Sequence, residues 1–170
     1  MLRAPIADPH GPDVLSTVVR SPFERGLYVA CDTRGIVASR WTGVPTRPPA
    51  KKIGYALLHE AVLQLRAYFA GRLHRFDVPL SIGGTPFEVS AWNAVAQLET
   101  GVLVSYADVA RALGRPNAYR GVARAMGRTP LALFIPAHRV VGADGRLKGA
   151  SARSMRRRLF AFERGLAQSE

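Results

Sequence analysis

The sequence predicts an α+β protein: a small N-terminal strand-and-helix domain, then a mostly helical C-terminal domain that carries a helix-turn-helix and a wing. Three observations predict it. Short apolar runs flank turn residues near the start, the pattern of a hairpin. A helical apolar stripe follows and stops at a glycine. Further on, two capped helices meet across a tight Gly-Arg-Pro break, and an extended segment with a turn comes after them. The chain of 170 residues is therefore divided into domains of residues 1–80 and 81–170.

Each element has a local cause. Residues 26–31 and 36–41 are apolar runs around Asp32-Thr33-Arg34-Gly35, which reads as a hairpin and its turn. Residues 44–49 hold three prolines and read as a linker, because proline fixes φ and lacks an N–H. Leu57, Leu58, Ala61, Leu65, Tyr68 and Phe69 recur at helical spacing until Gly71. Residues 75–84 read as extended. Thr85-Pro86-Phe87-Glu88 opens a helix with a capping box, and Phe87, Ala91, Val95 and Leu98 form its core stripe. Ser105 caps a second helix through Leu113, and Asn117 caps a third over residues 118–126. Residues 136–147 read as extended with a hairpin turn at Ala143-Asp144-Gly145-Arg146, where a wing would sit. Residues 151–166 form a last, basic helix.

Charge narrows the partners. Lys plus Arg number 24 against 12 Asp plus Glu, a net charge of +12 with a pI near 11.1. Only Lys51, Lys52 and Lys148 are lysine; the other 21 cations are arginine, the side chain suited to bidentate phosphate contacts. A small protein this basic most often meets a polyanion, with an arginine-rich coding bias as the alternative source of the charge. The third helix of the second half suits DNA in a particular way. Arg120 and Arg124 stand among the small residues Ala118, Gly121, Ala123 and Ala125. That composition fits shallow minor-groove contact, or else close packing on a neighbouring helix.

Other classes are excluded. Apolar residues at 48% and charged residues at 21% are globular values, not those of disorder, collagen or a coiled coil. No run approaches the ~20 apolar residues of a membrane helix. The opening residues lack the apolar stretch of a secretory signal, so a cytoplasmic location at the bacterial nucleoid is expected, with no membrane partner. A lone cysteine, Cys31, leaves no disulfide framework and no Cys-cluster zinc site, and reads as a small buried hydrophobe. His10, His59, His74 and His138 lack metal-ligand spacing, so neither metal nor cofactor is expected.

From Gly84 to about Gly165 the chain resembles the O6-alkylguanine-DNA alkyltransferases. The resemblance rests on Gly84-Thr85-Pro86-Phe87, Val104-Ser105-Tyr106, Gly114-Arg115-Pro116, Arg120-Gly121-Val122, residues 135–142, Asp144-Gly145 and Phe162-Glu163, in order and at family-like spacing. It implies a ribonuclease H-like N-terminal domain. It also implies suicide chemistry, in which a cysteine in a Pro-Cys-His-Arg segment takes the alkyl group from a flipped-out guanine. By that resemblance His138 and Glu163 would activate the nucleophile, and Tyr106 would crowd the phosphate. Arg120 would fill the gap in the stack. Ala118, Gly121, Ala123, Arg124, Ala125 and Arg139 would also lie on the DNA side. Tyr106, Pro136, Ala137, His138, Val140 and Ser151 would form the lesion pocket.

The sequence departs from the family at the decisive position. Ala137 stands where the nucleophile belongs, and a methyl group attacks nothing. Thr129-Pro130 replaces an Asn-Pro pair whose Asn braces the active-site turn, and Gly149-Ala150-Ser151-Ala152-Arg153 replaces a Gly-Tyr-Gly-Gly-like loop. The chain is therefore expected to be no enzyme. The expectation is a monomeric, alkyltransferase-like protein that binds O6-alkylguanine in double-stranded DNA and flags it for nucleotide excision repair proteins. The alternatives are a Cys→Ala inactive form of an O6-methylguanine-DNA methyltransferase and a winged-helix transcription regulator. Residual activity, with His138 directing water onto the alkyl carbon, is disfavoured because water is a poor nucleophile for it. Arg153, Arg156, Arg157 and Arg158 are left open between DNA, a protein partner and a solvated face.

Overall fold

The computed structural model describes residues 13–43, 56–148 and 154–167. The first twelve residues, the proline-rich stretch at 44–55 and residues 149–153, Ser151 included, lie outside the described residues. The chain divides into two compact units. One runs to Gly83 and takes in Pro130–Phe134; the other comprises Gly84–Thr129 and the residues from Ile135 onward. The small strand unit and the helical unit together give the α+β class that the sequence predicts.

In the first unit, β1 (Leu15–Arg20), β2 (Gly26–Cys31) and β3 (Ile36–Thr42) form an antiparallel sheet in the order β1-β2-β3. The hairpin turn is built by Asp32. Its Oδ1 accepts the backbone N–H groups of Arg34 at 2.8 Å and Gly35 at 3.0 Å, and Arg34 closes on Oδ2 with Nε and Nη2. Side-chain acceptance of this kind is why Asp initiates turns. β1 has no clear alternation and escaped the sequence; its pairing with β2, Leu15 to Cys31 through Arg20 to Gly26, supplies the order. As the central strand, β2 buries Leu27, Val29, Ala30 and Cys31 completely. Helix α1 (Ala56–Phe69) buries Leu58, Ala61, Val62, Leu65 and Tyr68, a stripe at i, i+3, i+4 and i+7. It ends where Gly71 takes φ +71° and Arg72 N–H reaches back to Ala67 O.

Two further segments extend this sheet. Residues 79–81 lie against β3, with Ile36 donating to Pro79 O and accepting from Ser81 N–H, both at 2.9 Å. Residues 130–134 return to β3 as well: Ala132 N–H donates to Ser39 O at 3.0 Å, and Ser39 Oγ donates to Ala132 O at 2.7 Å.

The second unit is helical: α2 (Pro86–Ala96), α3 (Tyr106–Ala112), α4 (Tyr119–Gly127) and α5 (Met155–Ala167). The expected capping box forms at α2, and the expected Ser105 cap is a capping box as well. Thr85 and Glu88 exchange side-chain and backbone bonds at the start of α2, as do Ser105 and Asp108 at the start of α3. Gly114, at φ +68°, ends α3 with Gly114 N–H to Arg111 O and Arg115 N–H to Ala110 O. The start of the next helix differs from expectation. Pro116–Ala118 is a 3-10 turn, so Asn117 lies inside it instead of capping, and α4 begins at Tyr119 with no side-chain cap.

The wing also differs. A turn does form, with Gly142 N–H donating to Arg146 O at 2.8 Å and Lys148 paired to Asp144. The strand before it, β5 (Val140–Val141), pairs parallel with β4 (Val104–Ser105), and no strand returns from the turn among the described residues. No helix among the described residues is long and apolar enough to cross a membrane.

Gly35 tests the strand unit. A Cβ there would meet Pro79 O at 2.7 Å and Ser81 N at 2.8 Å, both backbone atoms that cannot rotate away. Gly35→Ala is expected to destabilise the protein by about 1–3 kcal/mol, read from the shift of the urea unfolding midpoint.

Candidate functional site

The site is built on one turn of the helical unit. Residues Ala137–Arg139 form a 3-10 turn between Pro136 and β5. His138 and Arg139 are 2% and 1% exposed, and Glu163, on the inward face of α5, is 3% exposed. Charged groups are this deeply buried only when paired. Here His138 Nε2 lies 2.8 Å from Glu163 Oε1. Arg139 donates to Glu163 through Nε and Nη2, with Nη2 to Oε1 at 2.7 Å. Two further bonds run from Nη1 to Leu98 O and, at 3.1 Å, from Nη2 to Thr100 Oγ1.

Electrostatics fix the protonation states. Burial pushes the Glu163 carboxyl up, but hydrogen bonds from His138 and Arg139 outweigh it and hold the group at about 2. Burial pushes His138 below its ordinary value, and the opposing pull of Glu163 does not reverse this. The imidazole is therefore neutral beside an ionised carboxylate. A carboxylate only accepts, so Nε2 carries the hydrogen and Nδ1 is left as a proton acceptor. Ala137, the residue next to it, is 7% exposed.

The structure sorts the sequence-predicted residues. Pro136, Ala137, His138 and Val140 come together on the turn, and Glu163 joins them from α5. Tyr106 is reached by a bridging side chain: Arg156 Nη2 lies 3.4 Å from its hydroxyl and 2.9 Å from Ala137 O. Of the residues expected on the DNA side, Arg120, Ala123 and Arg124 are exposed and Ala118 is half-buried. Two residues expected there are corrected. Arg139 is committed to Glu163 in the interior, and Ala125 is wholly buried, with its carbonyl accepting from Trp92 Nε1 at 2.9 Å. Gly121 serves packing: a Cβ there would sit 3.0 Å from the Phe87 ring. Cys31 is an inert core thiol, wholly buried and pushed up to about 11 by burial and by Asp32. No group of three or more metal-ligating side chains occurs among the described residues.

Sequence reasoning missed Arg156 and the polar bracing of Arg139. The signal was available in part: Arg156 precedes Glu163 by seven residues, two helical turns on one face of α5. Leu98 O could not be anticipated, because a backbone carbonyl has no sequence signature.

Comparison with known proteins gives the following. The family model "6-O-methylguanine DNA methyltransferase, DNA binding domain" matches residues 86–165, and the "ribonuclease-like domain" of the same family matches residues 14–82. A methylated-DNA–protein-cysteine methyltransferase of Methanosarcina barkeri is 46% identical over 90 residues, 53% of this chain and 57% of the relative. The chain thus spans little more than half the length of this relative. That of Mycobacterium tuberculosis is 41% identical over 111 residues, 65% of this chain and 67% of the relative. Crystal structures of the M. tuberculosis O6-methylguanine methyltransferase match with TM-score 0.74 at 33% identity, over 92% of this chain and 96% of that one; a complex of it with DNA matches with TM-score 0.71 at 31% identity, over 90% and 93%.

These findings correct one expectation. The chain was expected to be no enzyme, yet its relatives at 41–47% identity are named as methyltransferases, and its fold matches that of one. The expectation weighed Ala137, Thr129-Pro130 and residues 149–153; against it, the family's two domain models match residues 14–82 and 86–165.

The cluster predicts stability. Glu163→Gln leaves the Arg139 guanidinium buried without its counter-charge and should cost about 3–5 kcal/mol in urea unfolding. The pH dependence has a definite sign. His138 and Glu163 both hold protons less readily folded than unfolded, so the unfolded chain takes them up first on acidification. Stability should be full above the ordinary histidine value of 6.5 and fall below it, then fall further from the ordinary carboxyl value of 4.5 towards about 2. Melting temperatures between about pH 8 and about pH 3 check this.

Proposed function

We propose, for a chain that belongs to the 6-O-methylguanine DNA methyltransferase family, that it binds duplex DNA and turns O6-alkylguanine out of the stack towards residues 136–140. The observation that carries this reading is the buried His138–Glu163 pair, 2.8 Å apart, immediately beside position 137. A thiol at that position would have what it needs: a neutral imidazole to take its proton through water, and a carboxylate to fix the ring. Ala137 stands there, so the chain is read as the alkyltransferase in its Cys→Ala form. Binding, base extrusion and orientation remain, and the accepting sulfur is absent.

The steps follow from the placement of the residues. Exposed Arg115, Arg124 and Arg128 hold phosphates, and Arg120 joins them until the lesion base leaves the stack. The exposed side of α4, Arg120, Ala123 and Arg124, lies in the minor groove, shallow enough for small residues to approach. Tyr106, at the start of α3, crowds the phosphate of the lesion nucleotide, and Arg120 occupies the gap in the stack. The extruded base meets the turn at Pro136, Ala137 and Val140. In the cysteine form the thiol proton passes to His138, the sulfur–carbon bond forms, the carbon–O6 bond breaks, and guanine takes a proton back. A second reading holds the bound lesion for nucleotide excision repair proteins. It rests on Ala137, which offers a bound lesion no acceptor for its alkyl group.

A competition titration at near-physiological salt tests the reading. A labelled duplex with one O6-methylguanine is displaced by unlabelled duplexes carrying O6-methylguanine or guanine. The lesion duplex should compete about tenfold or more better. Arg120→Ala should remove that preference, with plain-duplex affinity reduced only by the loss of one phosphate contact. Equal competition by both duplexes would favour a regulator that reads sequence.

A further inference from the structure

We propose that Arg156 is the positioning residue of the site: it ties both ends of the Ala137–Arg139 turn to Tyr106, so that position 137 and the tyrosine move as one unit. The geometry carries the assignment. Arg156 lies in the first turn of α5. Its Nη2 reaches Ala137 O at 2.9 Å, Val140 O at 3.4 Å and the Tyr106 hydroxyl at 3.4 Å, and Nη1 reaches Lys148 O at 3.5 Å. One planar cation therefore touches the first residue of the 3-10 turn and the residue after it, the segment behind the Gly142–Arg146 turn, and the first residue of α3.

Its neighbours do not share this placement. Arg157 and Arg158, next in the same run, are exposed, whereas Arg156 is half-buried. Its Nε is buried and has no hydrogen-bond partner among the described residues. A buried orphan donor is unfavourable, and here it accompanies a fork turned to satisfy carbonyl oxygens. No carboxylate pairs with Arg156 among the described residues. The charged and titratable groups around position 137 are His138, Arg139, Glu163, Tyr106 and Arg156. Arg139 and Glu163 offset each other, and His138 is neutral, so the positive charge of Arg156 is the uncompensated one. It accordingly disfavours a proton on His138. By the same field it would favour a thiolate at position 137 over a thiol.

The inference rests on the proposed roles of position 137 and Tyr106, and two readouts separate its failure from theirs. The first uses the full chain. Arg156→Gln should lower the preference for O6-methylguanine over guanine about tenfold, with plain-duplex affinity changed by no more than one phosphate contact. Arg156→Lys keeps the charge, but a single ammonium replaces the rigid plane whose Nη2 faces the turn while Nη1 reaches Lys148 O, so it should lose about threefold. The second readout needs no DNA. In an Ala137→Cys background, the pH profile of iodoacetamide alkylation at position 137 reports the thiol directly. The profile should lie below the ordinary thiol range with Arg156 or Lys at 156. It should move up with Gln, slowing alkylation near pH 7 about fivefold. Thermal unfolding identifies the folded variants, and Arg156→Lys decides if the Gln variant does not fold. Parental lesion preference together with a parental alkylation profile in a folded variant would overturn the assignment. If the parent shows no lesion preference, the functional reading fails, and the alkylation profile alone still decides the role of Arg156.

Discussion

The structure of the helical unit turns on one buried carboxylate. Glu163 is almost sealed from water, and an ionised carboxylate there is tolerable only with several donors converging on it. Arg139 and His138 supply them from adjacent positions in the chain. The bonds that Arg139 makes onward to Leu98 O and Thr100 join the end of α2 to the same cluster. A single constraint therefore sets α5, the 137–139 turn and the loop after α2 against one another. It also fixes which nitrogen of His138 bears the hydrogen. Removing any member leaves a charge or a polar atom stranded, which is why the cluster is all-or-none in character.

Around this fixed interior the helical unit separates packing from surface. Trp92 clasps α4 to α2 through Ala125 O, and the lack of a Cβ on Gly121 lets the Phe87 ring close in. Those two small residues serve the interior. Arg120, Ala123 and Arg124 remain on the outer side of the same helix, free to meet a polyanion. Of the two explanations open for a small-residue helix, packing accounts for Gly121 and Ala125, while Arg120, Ala123 and Arg124 stay exposed on the outer side. The arginine run of α5 divides in the same way, with Arg156 turned inward to the turn and Arg157 and Arg158 outward.

Much of this was legible in the sequence because its causes are local. Thr85 with Glu88 and Ser105 with Asp108 announce their helices through caps that need no tertiary context, and Asp32 announces the hairpin turn. The motif around His138, with Glu163 further on, picked out two side chains that the fold brings within 2.8 Å of each other. What escaped had non-local causes. β1 is ordered by its neighbour, the parallel pairing of β5 with β4 replaced the expected wing, and Asn117 lost its cap to the 3-10 turn that Pro116 begins. Arg139 looked like a surface cation because sequence gives charge but not depth; only Glu163, arriving from α5, makes burial of that guanidinium possible. The weight placed on Ala137, Thr129-Pro130 and residues 149–153 had the same origin: missing side chains were visible in the sequence, and the buried pairing of His138, Arg139 and Glu163 was not.

The most direct measurement of the central claim is alkyl transfer to the Ala137→Cys variant. The variant is incubated with a duplex carrying O6-[methyl-labelled] guanine, and label on the protein is counted by mass spectrometry. If the turn, His138 and Glu163 form an alkyltransferase site lacking only its acceptor, about one methyl group per protein should appear at position 137, with guanine restored in the duplex. A variant that binds the lesion duplex yet takes up no methyl group would contradict that claim.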